Sequence, residues 1–455
     1  MFELIRKTLP YFLVIYFLVR ANKKPLFLLG IPFLMFMSQS IFFENAKPFQ
    51  LPGSIFYHLT FLWLCILWIV SKLIYPVKKS VIAGKKTLST IDLLIISLIL
   101  ISLIGLSIAF KEYYPNTKEL LDQFIIWLSL FLGYFIIKDW IAANSWEDVS
   151  DFLFSIVLVN SIAACLYILH QGLHLNVYIS EEYLIETVNG QEITRTFWFM
   201  PQFLPFSIIY LLVFRNKYVI LKTGLLLINI LAVIITYSIS TLLIAGIITF
   251  LYFLLYGLKL GNLTLVFRNI ILIAIAGVAG LFILSKALPA NTQYLMARFS
   301  DLSSSAYSQK DVNTLEIRFI YTQQLFSKID PYKKILGVGP ITNNQSSLVP
   351  EMKGVTSDMV WAGIIIRWGY VGLLIFILLY IISIFTTLKI FFKANDIVSN
   401  LALVFFLYLI SQILEGFVSW TFLSGHGLTI GLWYFAITST LLGYYNKNKS
   451  QLYAK

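Results

Sequence analysis

Apolar runs of about twenty residues follow one another along this chain, separated by short polar breaks, and each is long enough to cross a bilayer core as a helix. The runs fall at about 25–43, 56–75, 91–110, 120–137, 151–169, 200–214, 218–235, 238–257, 266–285, 359–388, 399–421 and 427–444. Lipid offers no partner to a free backbone N–H or C=O, so the pattern predicts an all-α bundle of about 12 transmembrane helices. The first apolar stretch, 8–19, is too short to span and is followed by Arg20, Lys23 and Lys24 rather than by the small residues of a cleavage site; it is predicted as an interfacial helix. The longest exception to the pattern is the polar segment 286–357. The chain thus divides into a bundle over 1–285, the polar segment, and a C-terminal group of three helices over 358–455.

Composition agrees. Hydrophobic residues make up 59% of the 455 positions, charged ones 12%, and the mean hydropathy is +0.83. A soluble chain of this size needs about a quarter of its residues charged. The net charge of +12 suggests nucleic acid until its placement is read. With the N-terminus inside, the inner loops carry Arg6, Lys7, Arg20, Lys23, Lys24, Lys78, Lys79, Lys85, Lys86, Lys138, Arg215, Lys217, Lys222 and further lysines near the C-terminus. The short outer loops hold Lys47, Lys111, Lys118 and Arg195. That bias predicts both termini in the cytoplasm and the long segment outside, with membrane lipids as neighbours and no nucleic-acid partner. Cys65 and Cys165 lie inside apolar runs and are expected as packed thiols. The four histidines, His58, His170, His174 and His426, have no metal-ligand spacing, so no metal and no cofactor is expected.

Two outer regions carry the candidate chemistry, the loop 171–199 and the segment 286–357. Within the second, 311–329 reads as an amphipathic helix, with Leu315, Phe319, Thr322, Phe326 and Ile329 at spacings of three and four, ended by Asp330 and Pro331. Arg318 sits at the flank of that stripe. Its guanidinium suits bidentate capture of a phosphate, or simply reaches to lipid headgroups. Arg195, beside Phe197 and Trp198, and Arg298, beside Phe299, pose the same choice. Asp358 is placed either to cap the helix that follows or to act as a general base; Glu316 is the second candidate base. Glu181, Glu182 and Glu186 read as a solvated face. Arg367 and Glu415 lie within apolar runs, where an interhelical ion pair accounts for either, and Gly369 and Gly372 read as close helix contacts. There is no Walker A sequence, and Gly337-Val338-Gly339-Pro340 lacks the third glycine of a dinucleotide fingerprint. A substrate used outside must therefore arrive already activated.

The ordered set Thr194-Arg195, Pro201-Gln202-Phe203, Thr236-Tyr237-Ser238-Ile239-Ser240, Arg298-Phe299, Arg318, Pro331, Gly337-Val338-Gly339, Ser357-Asp358 and Gly369-Tyr370-Val371-Gly372 resembles the O-antigen polymerase and ligase superfamily of membrane glycosyltransferases. The likeness covers roughly 150–390. It implies a type-C glycosyltransferase-like bundle with a large extracytoplasmic loop carrying short helices, acting without metal on an undecaprenyl-diphosphate-linked glycan. Arg195 and Arg318 would correspond to the arginines that hold the diphosphate. Two departures stand out: Ser238-Ile239-Ser240 replaces the frequent Ser-Arg-Gly, and Ser357-Asp358 stands where ligases carry a histidine.

The resemblance therefore points to a polymerase, placed in the bacterial cytoplasmic membrane, that lengthens O-antigen or a related surface polysaccharide. Arg195, Arg318 and Arg298 are the expected diphosphate ligands, and Asp358 and Glu316 the expected catalytic carboxylates. A chain-length regulator is a further candidate partner. The alternatives are a ligase passing the glycan to lipid A–core or protein, and a lipid-linked oligosaccharide flippase.

Overall fold

The computed structural model describes residues 2–37, 56–74, 88–112, 117–173, 175, 183–188, 191–195, 200–214, 218–236, 239–262, 331–339, 360–417 and 425–447, with single positions scattered over 264–327. The fold is helical. In chain order the helices are α1 (Phe2–Ala21), α2 (Gly30–Met37), α3 (Phe56–Ile74), α4 (Thr90–Glu112), α5 (Thr117–Ala142), α6 (Trp146–Leu173), α7 (Met200–Val213), α8 (Val219–Ile235), α9 (Ile239–Leu260), α10 (Pro331–Leu336), α11 (Val360–Lys393), α12 (Asp396–Gly416) and α13 (Gly425–Lys447). Among the described residues five helices are long and apolar enough to cross a membrane, namely α4, α6, α9, α11 and α12, and several shorter apolar ones accompany them. That makes the chain a helical membrane protein, while a count of 12 crossings exceeds what the described helices supply. The run expected at 266–285 and the amphipathic helix expected at 311–329 lie outside the described residues, apart from isolated positions.

One amendment to an all-α fold falls in the loop 171–199, where β1 (Tyr183–Val188) pairs antiparallel with β2 (Gln191–Arg195). Val188 faces Gln191 in the register, so the strands flank Asn189 and Gly190, the dipeptide that best suits a two-residue hairpin turn.

Contacts group the chain into two compact units, one of Met1–Arg20, Phe33–Pro48 and Ser150–Ser308, the other of Ala21–Pro32, Phe49–Val149 and Gln309–Lys455. In the first, α1 packs Leu13 and Phe17 inward, with Phe17 against Phe152 of α6 (ring centroids 6.4 Å apart), and exposes Tyr11, Phe12, Ile15, Leu18 and Val19. A face of that kind belongs in lipid or at its interface. Lys222 at the start of α8 donates to the Phe214 carbonyl at the end of α7, where a cation meets the negative end of the helix dipole.

In the second unit, three ion pairs tie helix ends together. Lys24 meets Asp148 at 2.8 Å, Lys72 meets Asp139 at 2.6 Å, and Lys138 meets Asp92 at 2.5 Å. One of these carboxylates, Asp92, also closes a capping box, and a second, Asp148, meets its own helix start. The Ser89 amide donates to Asp92 Oδ2 while the Asp92 amide donates to Ser89 Oγ, and the Asp148 amide donates to Ser145 Oγ. Cys65 and Cys165 are free thiols, both half-buried.

The feature that shapes this unit most is the course of α11. A straight helix would separate Trp361 from Tyr380 by about 28 Å at 1.5 Å per residue; their ring centroids are 5.7 Å apart. Trp368 lies 5.5 Å from Phe376, and a Cβ on Gly372 would overlap the Trp368 Cβ. The chain reverses at Gly369, whose φ of 66° and ψ of −170° leave helical space. Residues 360–368 therefore run back along 370–393. The second limb, about 36 Å long, is the one that can span; the first is a re-entrant helix. Its side chains from Ala362 to Trp368 are buried all round, which suits a helix apolar on every face but for Arg367. Sequence had placed one continuous span over 359–388.

Candidate functional site

A reversal inside an apolar bundle strands backbone carbonyls, and the structure shows where they go. The Val338 amide donates to the Ile366 carbonyl (2.7 Å) and the Gly339 amide to the Arg367 carbonyl (3.3 Å). Non-helical backbone at this depth is tolerated only when protein meets its polar groups. The donors come from the stretch after α10, a short helix opened by Pro331, whose missing N–H is no loss at a first turn. The helix that sequence ends at Asp330 and Pro331 lies outside the described residues; Pro331 itself opens α10.

The approach is so close that glycine is required. Gly337 has φ 83°, Gly339 has φ 96° and Gly369 has φ 66°. A Cβ on Gly369 would overlap the Ile335 carbonyl and lie 2.6 Å from the Gly337 amide nitrogen; one on Gly337 would overlap the Arg367 carbonyl; one on Gly339 would lie 2.6 Å from the Gly105 carbonyl oxygen of α4. Conformations of this kind cost an L-residue about 1–3 kcal/mol before any clash is counted. Gly337, Val338 and Gly339 thus form a backbone latch on the tip of the re-entrant helix.

Beside the latch sits Arg367, 3% exposed. Its guanidinium carbon lies 5.0 Å from the centroid of the Trp127 ring on α5, and Trp127 meets Trp368 edge-to-face at 4.8 Å. The Trp368 indole N–H donates to Ser102 Oγ on α4 at 2.8 Å. The Trp127 indole N–H, on a side chain 3% exposed, has no hydrogen-bond partner among the described residues. Guanidinium and indole carry N–H donors only, so any polar group that meets either side chain must be an acceptor.

The residues singled out by sequence fare as follows. Asp358, Glu316, Arg318 and Arg298 lie outside the described residues. Arg195 closes β2, where its backbone pairs with Tyr183; its side chain is outside the description. None of these five is brought beside another by what is described. Arg367 was noticed for its cost inside an apolar run, and the aromatic ring that meets it is Trp127. The latch was missed. Its signal was present, a Gly-x-Gly in the polar segment and a lone glycine after Arg367-Trp368, but nothing in one sequence links positions so far apart.

No family model matches this chain, and no curated protein matches it.

Proposed function

We propose that the chain is a membrane glycosyltransferase that joins lipid-diphosphate-linked oligosaccharide units into a surface polysaccharide on the outer face of the bacterial cytoplasmic membrane. The observation that carries this reading is a buried cation, Arg367, stacked on Trp127 in a membrane bundle at the helix reversal to which residues 337–339 are latched. A guanidinium suits a phosphate oxygen, and an intramembrane cation marks a functional site more often than a structural one. The ordered motifs read in the sequence point to the same substrate class. The reading keeps about 12 crossings, both termini inside, and the segment 286–357 outside.

The chemistry asks little of the protein. The bond between the anomeric carbon and the diphosphate oxygen breaks, and a bond from that carbon to an acceptor sugar hydroxyl forms. The electron pair leaves with the diphosphate, which is already a good leaving group. Fixed cations offset the charge that gathers on it, the role assigned to Arg318 and Arg195, with Arg298 third. The hydroxyl proton passes to a carboxylate, Asp358 first and Glu316 second. Attack from the face opposite the diphosphate inverts the anomeric centre.

Arg318→Ala should abolish polymer while the protein stays in the membrane, and Arg318→Lys should recover little of it because an ammonium cannot bind in the same two-pronged way. Immunoblotting of membranes and a polymer ladder on a gel read both. Polymer of ordinary length from Arg318→Ala would remove Arg318 from the mechanism. A ligase would instead need a lipid A–core or protein acceptor, and a flippase would move donor without forming a glycosidic bond.

A further inference from the structure

We infer that the latch made by Gly337, Val338, Gly339 and Gly369 is a positioning device that sets where Arg367 stands for the donor. The re-entrant helix is short, about 13 Å, and the reversal at its end has no helical hydrogen bonds of its own. What fixes that end is the pair of amide bonds from Val338 and Gly339 to the carbonyls of Ile366 and Arg367, together with the Trp368 bond to Ser102. Both amides belong to the stretch that follows α10, so the carbonyls of Ile366 and Arg367 are met from the polar segment. A shift of α10 moves the Ile335 carbonyl and the Gly337 amide, which bear directly on Gly369, and Arg367 is two residues from that tip. The guanidinium is thereby tied to the segment expected to bind the glycan. Gly337 and Gly369 are positioning residues: they touch no substrate and act through Arg367.

The part of this inference that concerns the donor rests on the glycosyltransferase reading; the part that concerns the latch does not, and the experiment separates them. In a chain with Cys65→Ser and Cys165→Ser, the pair Trp361→Cys and Tyr380→Cys is oxidised and the cross-linked peptides are measured by mass spectrometry. The parent should cross-link, and Gly369→Ala or Gly337→Ala should lower the yield at least tenfold, because the added Cβ would lie under 3 Å from fixed backbone atoms. Gly443→Ala, where a Cβ meets nothing within 4 Å, should leave it unchanged. Ser102→Ala is the milder variant, since it removes one hydrogen bond and adds no clash; it should raise the KM for the lipid-diphosphate donor about fivefold and leave kcat nearly unchanged.

Oxidising the cysteine pair in the Ser102→Ala chain should restore the parental KM, a rescue that a merely destabilised protein would not show. Parental cross-linking in both glycine variants overturns the latch. An unchanged donor KM in Ser102→Ala, or a kcat effect that oxidation does not reverse, overturns the positioning role. Absence of polymer from the parent itself counts against the glycosyltransferase reading and leaves the cross-linking result to decide the latch.

Discussion

At Asp92 three donors make four hydrogen bonds to one carboxylate that is 1% exposed. Lys138 Nζ reaches both oxygens at 2.7 and 2.5 Å, the Tyr134 hydroxyl donates to Oδ1 at 2.6 Å, and the Ser89 amide donates to Oδ2 at 2.6 Å. Ser89 Oγ continues the network to Ser439 Oγ at 2.8 Å, so α4, α5 and α13 meet at one ionised group. Asp92→Asn should lower stability by about 3 kcal/mol, the low end for a broken buried ion pair because Lys138 keeps some solvent; thermal unfolding in detergent reads it, and a loss below about 0.5 kcal/mol would contradict the assignment. Lys138 was legible only as an inner-loop cation, since a single sequence shows charge but not partner. Arg367 was legible as costly, yet the ring that meets it comes from another helix.

Helix ends carry a different lesson. Most spans read from hydropathy lie within a few residues of the helices found, because lipid enforces both helicity and length. The reversal at Gly369 escaped that reading. Its sequence, from Val360 to Leu374, is apolar apart from Arg367, since the carbonyls it frees are met by backbone amides and no polar turn is needed. Polar pairing between helices was equally silent. Asn160 of α6 donates to Ser207 Oγ of α7 at 2.8 Å, and Asn229 of α8 donates to Ser161 Oγ of α6 at 2.7 Å, all four residues at most 1% exposed. Asn229→Leu should cost about 1–2 kcal/mol, the upper range for interhelical hydrogen bonds in a membrane protein. Ser97→Ala, which removes a bond to the residue's own helix on an exposed face, should cost almost nothing. Equal losses from the two variants, measured side by side, would deny the α6–α7–α8 network its role.

For the whole molecule, the charge asymmetry predicts that impermeant thiol reagents label cysteines placed in 286–357 from outside and cysteines near either terminus only after the membrane is opened. Labelling of Arg318→Cys from the cytoplasmic side would remove the extracytoplasmic site altogether. Helical bundle architecture was written plainly in the sequence; the chemistry was read only from ordered motifs, and their carriers Arg195, Arg298, Arg318, Glu316 and Asp358 are too far apart in the chain for spacing to join them. The most direct measurement is made on the purified protein in liposomes given a lipid-diphosphate-linked repeat unit as both donor and acceptor, with no nucleotide, metal or second protein. A ladder of glycans, each longer by one repeat and released in step with free lipid diphosphate, is the predicted result. Repeat units that cross the bilayer unchanged, with no new glycosidic bond, would contradict it.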